Sequence, residues 1–208
     1  MTRGQKICAF IEAYCLIPEG AQVGQPIKLM KFQRKFILDV FDNPHGTSRA
    51  DLSVARKNGK SALIAAILLA HLVGPEARQN SQIISGARSR DQASLVFKLA
   101  EKMVRLSPEL SKIVRIVPSQ KMLVGLICNV EFKAISAESG TAHGLSPVLA
   151  ILDELGQVRG PHDAFVEAIE TAQGAHANPL LIAISTQAAT DADLFSIWLD
   201  DAAAAKDR

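Results

Sequence analysis

Apolar residues at Ile7, Phe10, Ile11, Tyr14 and Cys15 recur at helical spacing, which predicts that the chain opens with an amphipathic helix stopped by Pro18 and Gly20. Turn formers fill 20–26, and a second helical pattern follows over 29–41, carried by Phe32, Phe36, Ile37 and Val40. Asn43, Pro44, His45 and Gly46 break it again. From there the pattern alternates: strand-like runs at 49–55, 81–86, 148–152 and 180–185 are separated by helical runs at 61–72, 90–106 and 161–172. The run 61–72 is apolar on every side, so it predicts a helix buried whole. The run 90–106 instead sets Val96, Leu99, Ala100, Met103 and Val104 against Lys98, Lys102 and Arg105 on the opposite face. Short strand-like runs at 113–117, 122–127 and 130–135 predict a meander at a sheet edge, followed by a polar loop over 136–147. A last helix is expected after Asp191 and Asp193, helped by the alanines at 202–205. Continuous apolar strands alternating with helices predict an α/β fold, a mainly parallel central sheet flanked by helices on both faces.

Composition narrows the class. The chain has 208 residues, 48% of them hydrophobic and 21% charged, enough for a substantial core without disulfide or metal staples. The longest apolar run, 62–73, contains His71 and falls far short of the roughly 20 residues that span a bilayer, so no membrane association is expected. Glu12 interrupts the apolar stretch after Lys6, and no cleavage pattern follows, so no secretion signal is expected either. Cys8, Cys15 and Cys128 match no zinc or CxxC spacing and read as small buried hydrophobes in a reducing compartment. With a net charge of +2, any nucleic-acid contact has to come from a local stripe. Lys98, Lys102 and Arg105 form one, although a solvated helix face is the simpler account of it.

The sharpest chemical feature is Arg56-Lys57-Asn58-Gly59-Lys60-Ser61, set after a strand and opening an apolar helix. Helix N-terminal N–H groups lack internal partners and, with the helix dipole, attract anions. In a phosphate loop of this kind Gly59 lets the backbone approach the phosphates, Lys60 reaches the β and γ phosphates, and the Ser61 hydroxyl meets Mg²⁺. Val54 stands where the full GxxxxGK[ST] pattern has its first glycine. The second feature is the run 148–152, which delivers Asp153 and Glu154 at a strand's carboxyl end, where open α/β sheets bind ligands. In a P-loop nucleotidase the first acid holds Mg²⁺ and the second polarises the attacking water. The run 180–184 ends in Ser185, Thr186 and Gln187, polar groups suited to sensing the γ-phosphate from between the two sites, or to capping the next helix. Gln33 could offer its amide to an adenine edge; taken alone it reads as a surface glutamine.

Together these features resemble the large subunit of the tailed-bacteriophage terminase, the ATP-driven motor that packages DNA into the procapsid. The resemblance rests on Phe10-Ile-Glu-Ala-Tyr14, Leu29-Met-Lys-Phe-Gln33, Arg56-Lys-Asn-Gly-Lys-Ser61, Ser139-Gly-Thr-Ala-His-Gly144, Ile151-Leu-Asp-Glu-Leu155 and Ile184-Ser-Thr-Gln187, in the family's order and across nearly the whole chain. The family's loop commonly lacks the first glycine, which accommodates Val54. The resemblance implies a P-loop NTPase of the ASCE type, a single ATPase domain over 1–208, with an N-terminal helical segment (1–45) carrying Gln33 and a nucleotide-binding core (46–208). It implies ATP and Mg²⁺ as cofactors. Gln33 would meet adenine, and Arg56, Lys57, Asn58, Gly59, Lys60, Ser61 and Thr186 would surround the nucleotide. Ser61 and Asp153 would hold the metal, Glu154 would be the catalytic base with Lys60 and Arg56 assisting, and residues 185–187 would couple hydrolysis to movement. Some members carry Arg where this chain has His143, so the arginine-finger candidates are Arg56, Arg88, Arg90 and Arg159. The implied partners are double-stranded DNA gripped without regard to sequence, the portal protein, the small terminase subunit and further copies in a ring on the portal, all in the host bacterial cytoplasm. Family members usually continue into a nuclease domain; here an isolated motor domain is expected, and Asp191, Asp193, Asp200 and Asp201 are read as helix capping and solvation. A helicase-like translocase, or a nucleotide-binding assembly module without turnover, are the alternatives.

Overall fold

Strands covered on both faces send alternate side chains into two separate cores, and this alternation organises the molecule. The structure is a computed structural model that describes residues 1–55, 58–137 and 144–206. Its elements run α1 (Arg3–Tyr14), α2 (Lys31–Phe41), β1 (Arg49–Ser53), α3 (Lys60–Leu72), β2 (Gln82–Ala87), α4 (Arg90–Leu106), α5 (Pro108–Ile113), β3 (Val114–Val117), β4 (Met122–Gly125), β5 (Val130–Ser136), β6 (Pro147–Asp153), α6 (Ala164–Gln173), β7 (Leu180–Ser185) and α7 (Leu194–Lys206). Seven strands form one sheet in the order β1-β7-β6-β2-β5-β4-β3. The first five in that order are mutually parallel. β3, β4 and β5 pair antiparallel, which is the edge meander that the short apolar runs predict.

Leu149, Ile151, Ile182 and Ile184 face a core shared with α1 to α4, while Ala150, Leu152, Leu181 and Ala183 face another closed by Val166, Ile169, Phe195 and Trp198 from α6 and α7. Helices therefore cover both faces. α3 is buried on all sides, as its composition predicts, and His71 is buried with it. Desolvation pushes the His71 imidazole down to about 4, so the ring stays neutral, its Nδ1 lying 2.9 Å from the Ile67 carbonyl. Cys8 and Cys15 are buried thiols, and burial pushes Cys15 up to about 12. Among the described residues no helix is long and apolar enough to cross a membrane.

Two local differences from the sequence reading have physical causes. Residues 108–113 form a short helix, capped by Ser107 and started by Pro108, where only a strand beginning at 113 is expected. β4 ends at Gly125, and Leu126 and Ile127 are exposed on the turn that Asn129 reverses with a left-handed backbone, φ 50°. Alternating hydrophobicity cannot tell a strand from an apolar turn tip. The basic stripe of α4 is largely neutralised: Lys102 pairs with Glu19 and Arg105 with Glu101. It is a solvated face, in line with the simpler of the two readings of its sequence.

Candidate active site

The chain leaves β1 and enters α3 through Gly59, whose φ of 71° lies where a Cβ is strained. Among the described residues no side chain caps α3. The N–H groups of Lys60, Ser61 and Ala62 therefore have no partner inside the helix and, with the helix dipole, make an anion site. Asn58 spans the loop, its Nδ2 donating to the Ala55 carbonyl at 3.2 Å. Arg56, Lys57 and His143 lie outside the described residues, as does most of the motif at 139–144.

β6 is buried along its entire length and ends in Asp153. Glu154 follows with a left-handed backbone, φ 55°, its N–H donating to the Ile184 carbonyl at 2.8 Å. β1 and β6 are separated by a single strand, β7. That spacing brings residues nearly a hundred positions apart into contact: Lys60 Nζ donates to Glu154 Oε1 at 3.0 Å, with both side chains largely buried. At an effective dielectric near 20 such a pair gains roughly 5 kcal/mol, comparable to the several kcal/mol that desolvating each ion costs. The pair is near break-even, and a phosphate can compete for the lysine.

Asp153 is 5% exposed, and among the described residues neither carboxylate oxygen has a hydrogen-bond partner; Glu154 Oε2 has none either. Burial, then the Glu154 charge, raises the Asp153 carboxyl to about 6 against the opposing pull of Lys60. Buried oxygens left without donors are costly, and a hard divalent cation satisfies them. Asp153 and the Ser61 hydroxyl have the donor chemistry for Mg²⁺.

Ser185, at the end of β7, is fully buried and bonds to both sides of the site. Its carbonyl accepts from Val54 N–H at 3.1 Å, where the phosphate loop begins, and its Oγ accepts from Gly156 N–H at 2.9 Å, two residues past Glu154. Thr186 is half-buried and Gln187 exposed just beyond. A Cβ on Gly156 would lie 2.7 Å from both Ser185 Oγ and the Thr186 carbonyl oxygen, so only glycine permits this approach. Gly156→Ala is expected to destabilise the fold by about 1–3 kcal/mol through overpacking and to lower kcat, with ATP affinity retained. Thermal melting and steady-state kinetics on the same preparation check it; an unchanged melting temperature would show that the contact is not tight.

Gln33 is buried, unlike the surface glutamine that its sequence context alone suggests. Its Oε1 accepts from Met30 N–H at 3.0 Å, which fixes the amide at the start of α2, and its Nε2 lies 3.5 Å from the point where a Gly59 Cβ would sit. It thus abuts the phosphate loop. Arg88 is exposed and donates to the Gln157 carbonyl at 3.4 Å, and Arg90 is exposed beside it. Arg159 donates to Asp193 at 3.2 Å. Asp193 also accepts from Gly160 N–H and Thr190 N–H, and Asp201 lies 3.8 Å from Arg49, so these two acids serve as loop anchor and ion-pair partner. Gly156 and Gln157 are the site residues that sequence reasoning misses. The signal for them was their position two and three residues past the acidic pair.

Residues 32–197 match the family model described as terminase large subunit, ATPase domain. Over 207 residues the chain is 68% identical to the large terminase subunit of Enterobacteria phage HK97, a match covering 100% of this chain and 41% of that protein. The crystal structure of the HK97 bacteriophage large terminase is similar with a TM-score of 0.94 and 67% identity, over 100% of this chain and 42% of the other. The large terminase ATPase domain of Thermus phage P74-26 is similar with a TM-score of 0.59 and 24% identity, over 77% and 65% of the two chains. The large terminase of a thermophilic bacteriophage, solved in complex with ADP, gives a TM-score of 0.54 and 12% identity, over 76% and 39%. These last two show the fold alone, and the HK97 terminase match bears out the P-loop NTPase (ASCE) fold that the resemblance implies. The chain spans about two fifths of the length of the HK97 relative.

Proposed function

The chain belongs to the family of terminase large-subunit ATPase domains, and on that premise we propose that it hydrolyses ATP to drive double-stranded DNA into a phage procapsid. The observation that carries this reading is the meeting of Lys60 and Glu154 at 3.0 Å beside the buried Asp153 carboxylate. In the free protein Lys60 is held by Glu154. An arriving triphosphate seats on the N–H groups at the start of α3, and Lys60 exchanges the carboxylate for the β and γ phosphate oxygens. Glu154 is thereby released to orient a water and accept its proton as the water oxygen bonds to the γ phosphorus and the bond to the β–γ bridging oxygen breaks. Asp153 and the Ser61 hydroxyl would hold Mg²⁺, which when bound neutralises phosphate charge. Gln33 would meet the adenine, and Arg56, Lys57, Asn58 and Thr186 would line the nucleotide. Ser185, bonded to both the phosphate loop and the turn after Glu154, transmits the change in occupancy.

The same reading takes 1–45 as a helical segment bearing Gln33 and 46–208 as the nucleotide core. It puts the working protein in the host bacterial cytoplasm, in a homo-oligomeric ring on the portal with the small terminase subunit as a further partner. A neighbouring copy would contribute an arginine to the transition state. The test is ATP hydrolysis with and without duplex DNA over a range of protein concentrations, alongside a forked substrate. The expected result is duplex-stimulated turnover that rises steeply with concentration and separates no strands. Strand separation would favour a helicase-like translocase, and binding without turnover would favour an assembly module.

A further inference from the structure

At the carboxyl ends of the strands, on the same rim as Glu154, a groove of about 330 Å³ is lined by Arg90, Lys121 and Lys133 with Ser119 and Gln120. Beside it lies an open hollow of about 640 Å³ bordered by Arg88, Gln92 and Gln157. The four cations come from three segments: Arg88 precedes and Arg90 opens α4, Lys121 occupies a left-handed turn with φ 49° before β4, and Lys133 sits on β5 opposite Met122. Among the described residues none of the four forms an ion pair, in contrast to Lys102 and Arg105 on α4. The nearest acids in sequence, Asp91 and Glu131, line neither hollow. Lys121 is held in place, its Nζ donating to the Arg90 carbonyl at 3.2 Å.

Such a track is polar and, among the described residues, lined by cations without an acid. We propose that Arg88, Arg90, Lys121 and Lys133 grip the phosphate backbone of a polynucleotide, and that this groove, not the stripe on α4, is the DNA contact of the chain. The proposal rests on the motor reading above and supplies its missing grip. It also gives that grip a route to the chemistry: Arg88 donates to the Gln157 carbonyl, Gln92 Nε2 donates to Gln157 Oε1 at 3.0 Å, and Gln157 N–H donates to the Glu154 carbonyl at 3.0 Å. A strand drawn across the start of α4 therefore bears on the turn that carries the catalytic carboxylate.

The experiment is fluorescence anisotropy of a labelled duplex with the full chain over a series of potassium chloride concentrations. Each lost phosphate contact flattens the slope of log K against log salt by roughly 0.9. Lys121→Gln combined with Lys133→Gln is expected to flatten it by about 2, Lys133→Gln alone by about 1, with melting temperatures matching the parent. Lys98→Gln combined with Lys102→Gln is expected to leave the slope unchanged. The reverse pattern, or equal slopes in all variants, overturns the proposal. So does a loss of affinity for ATP with duplex binding intact, which would make the groove a nucleotide site. A parent chain that hydrolyses ATP but binds no duplex removes this groove as the grip while leaving the ATPase assignment standing; a parent that does neither removes both.

Discussion

Replacing Lys60 by alanine is expected to abolish measurable ATP turnover, with kcat/KM falling on the order of 10²–10³-fold or more. Two effects add in the same direction. The variant loses the cation that would balance charge on the β and γ phosphates, and it leaves Asp153 and Glu154, adjacent and largely buried, without their nearby positive charge. Two adjacent buried carboxylates without a counter-ion repel each other, which also disturbs the site. ATP affinity falls with the rate. Filter binding and phosphate release on folded protein check both parameters; turnover within tenfold of the parent would exclude Lys60 from the site.

Glu154→Gln separates binding from chemistry. The amide keeps the size of the side chain and a hydrogen-bond acceptor for Lys60, yet it cannot take a proton from water. We expect kcat to fall roughly 10²–10⁴-fold, the range assigned to positioned acid–base groups. The dissociation constant for ATP should stay within a few-fold of the parent, or tighten, because Lys60 no longer has to leave a charged partner. A variant that hydrolyses ATP at the parental rate would show that another group activates the water.

Much of this was legible along the chain because each element announces itself locally. The strands 148–152 and 180–185 are continuous apolar runs since both their faces are covered, and the helix at 61–72 is apolar throughout because it is buried whole. Asp153 and Glu154 stand out as charges at the end of such a run. What stayed hidden depends on contacts distant in sequence. Gln33 looks like a surface residue until its burial against Gly59, 26 positions away, is seen. Gly156 gains its meaning from Ser185 and Thr186, and the neutral character of the α4 stripe comes partly from Glu19, far upstream of Lys102. Local patterns report what each element buries; they do not report which partners the sheet order brings alongside.

The most direct measurement is a crystal structure of the chain with Mg²⁺ and a non-hydrolysable ATP analogue. The γ-phosphate is expected between Lys60 and Glu154, with Lys60 Nζ moved from the carboxylate onto phosphate oxygens and the cation against Asp153 and Ser61. A triphosphate bound elsewhere, or Lys60 still paired with Glu154 in the occupied site, would contradict this expectation.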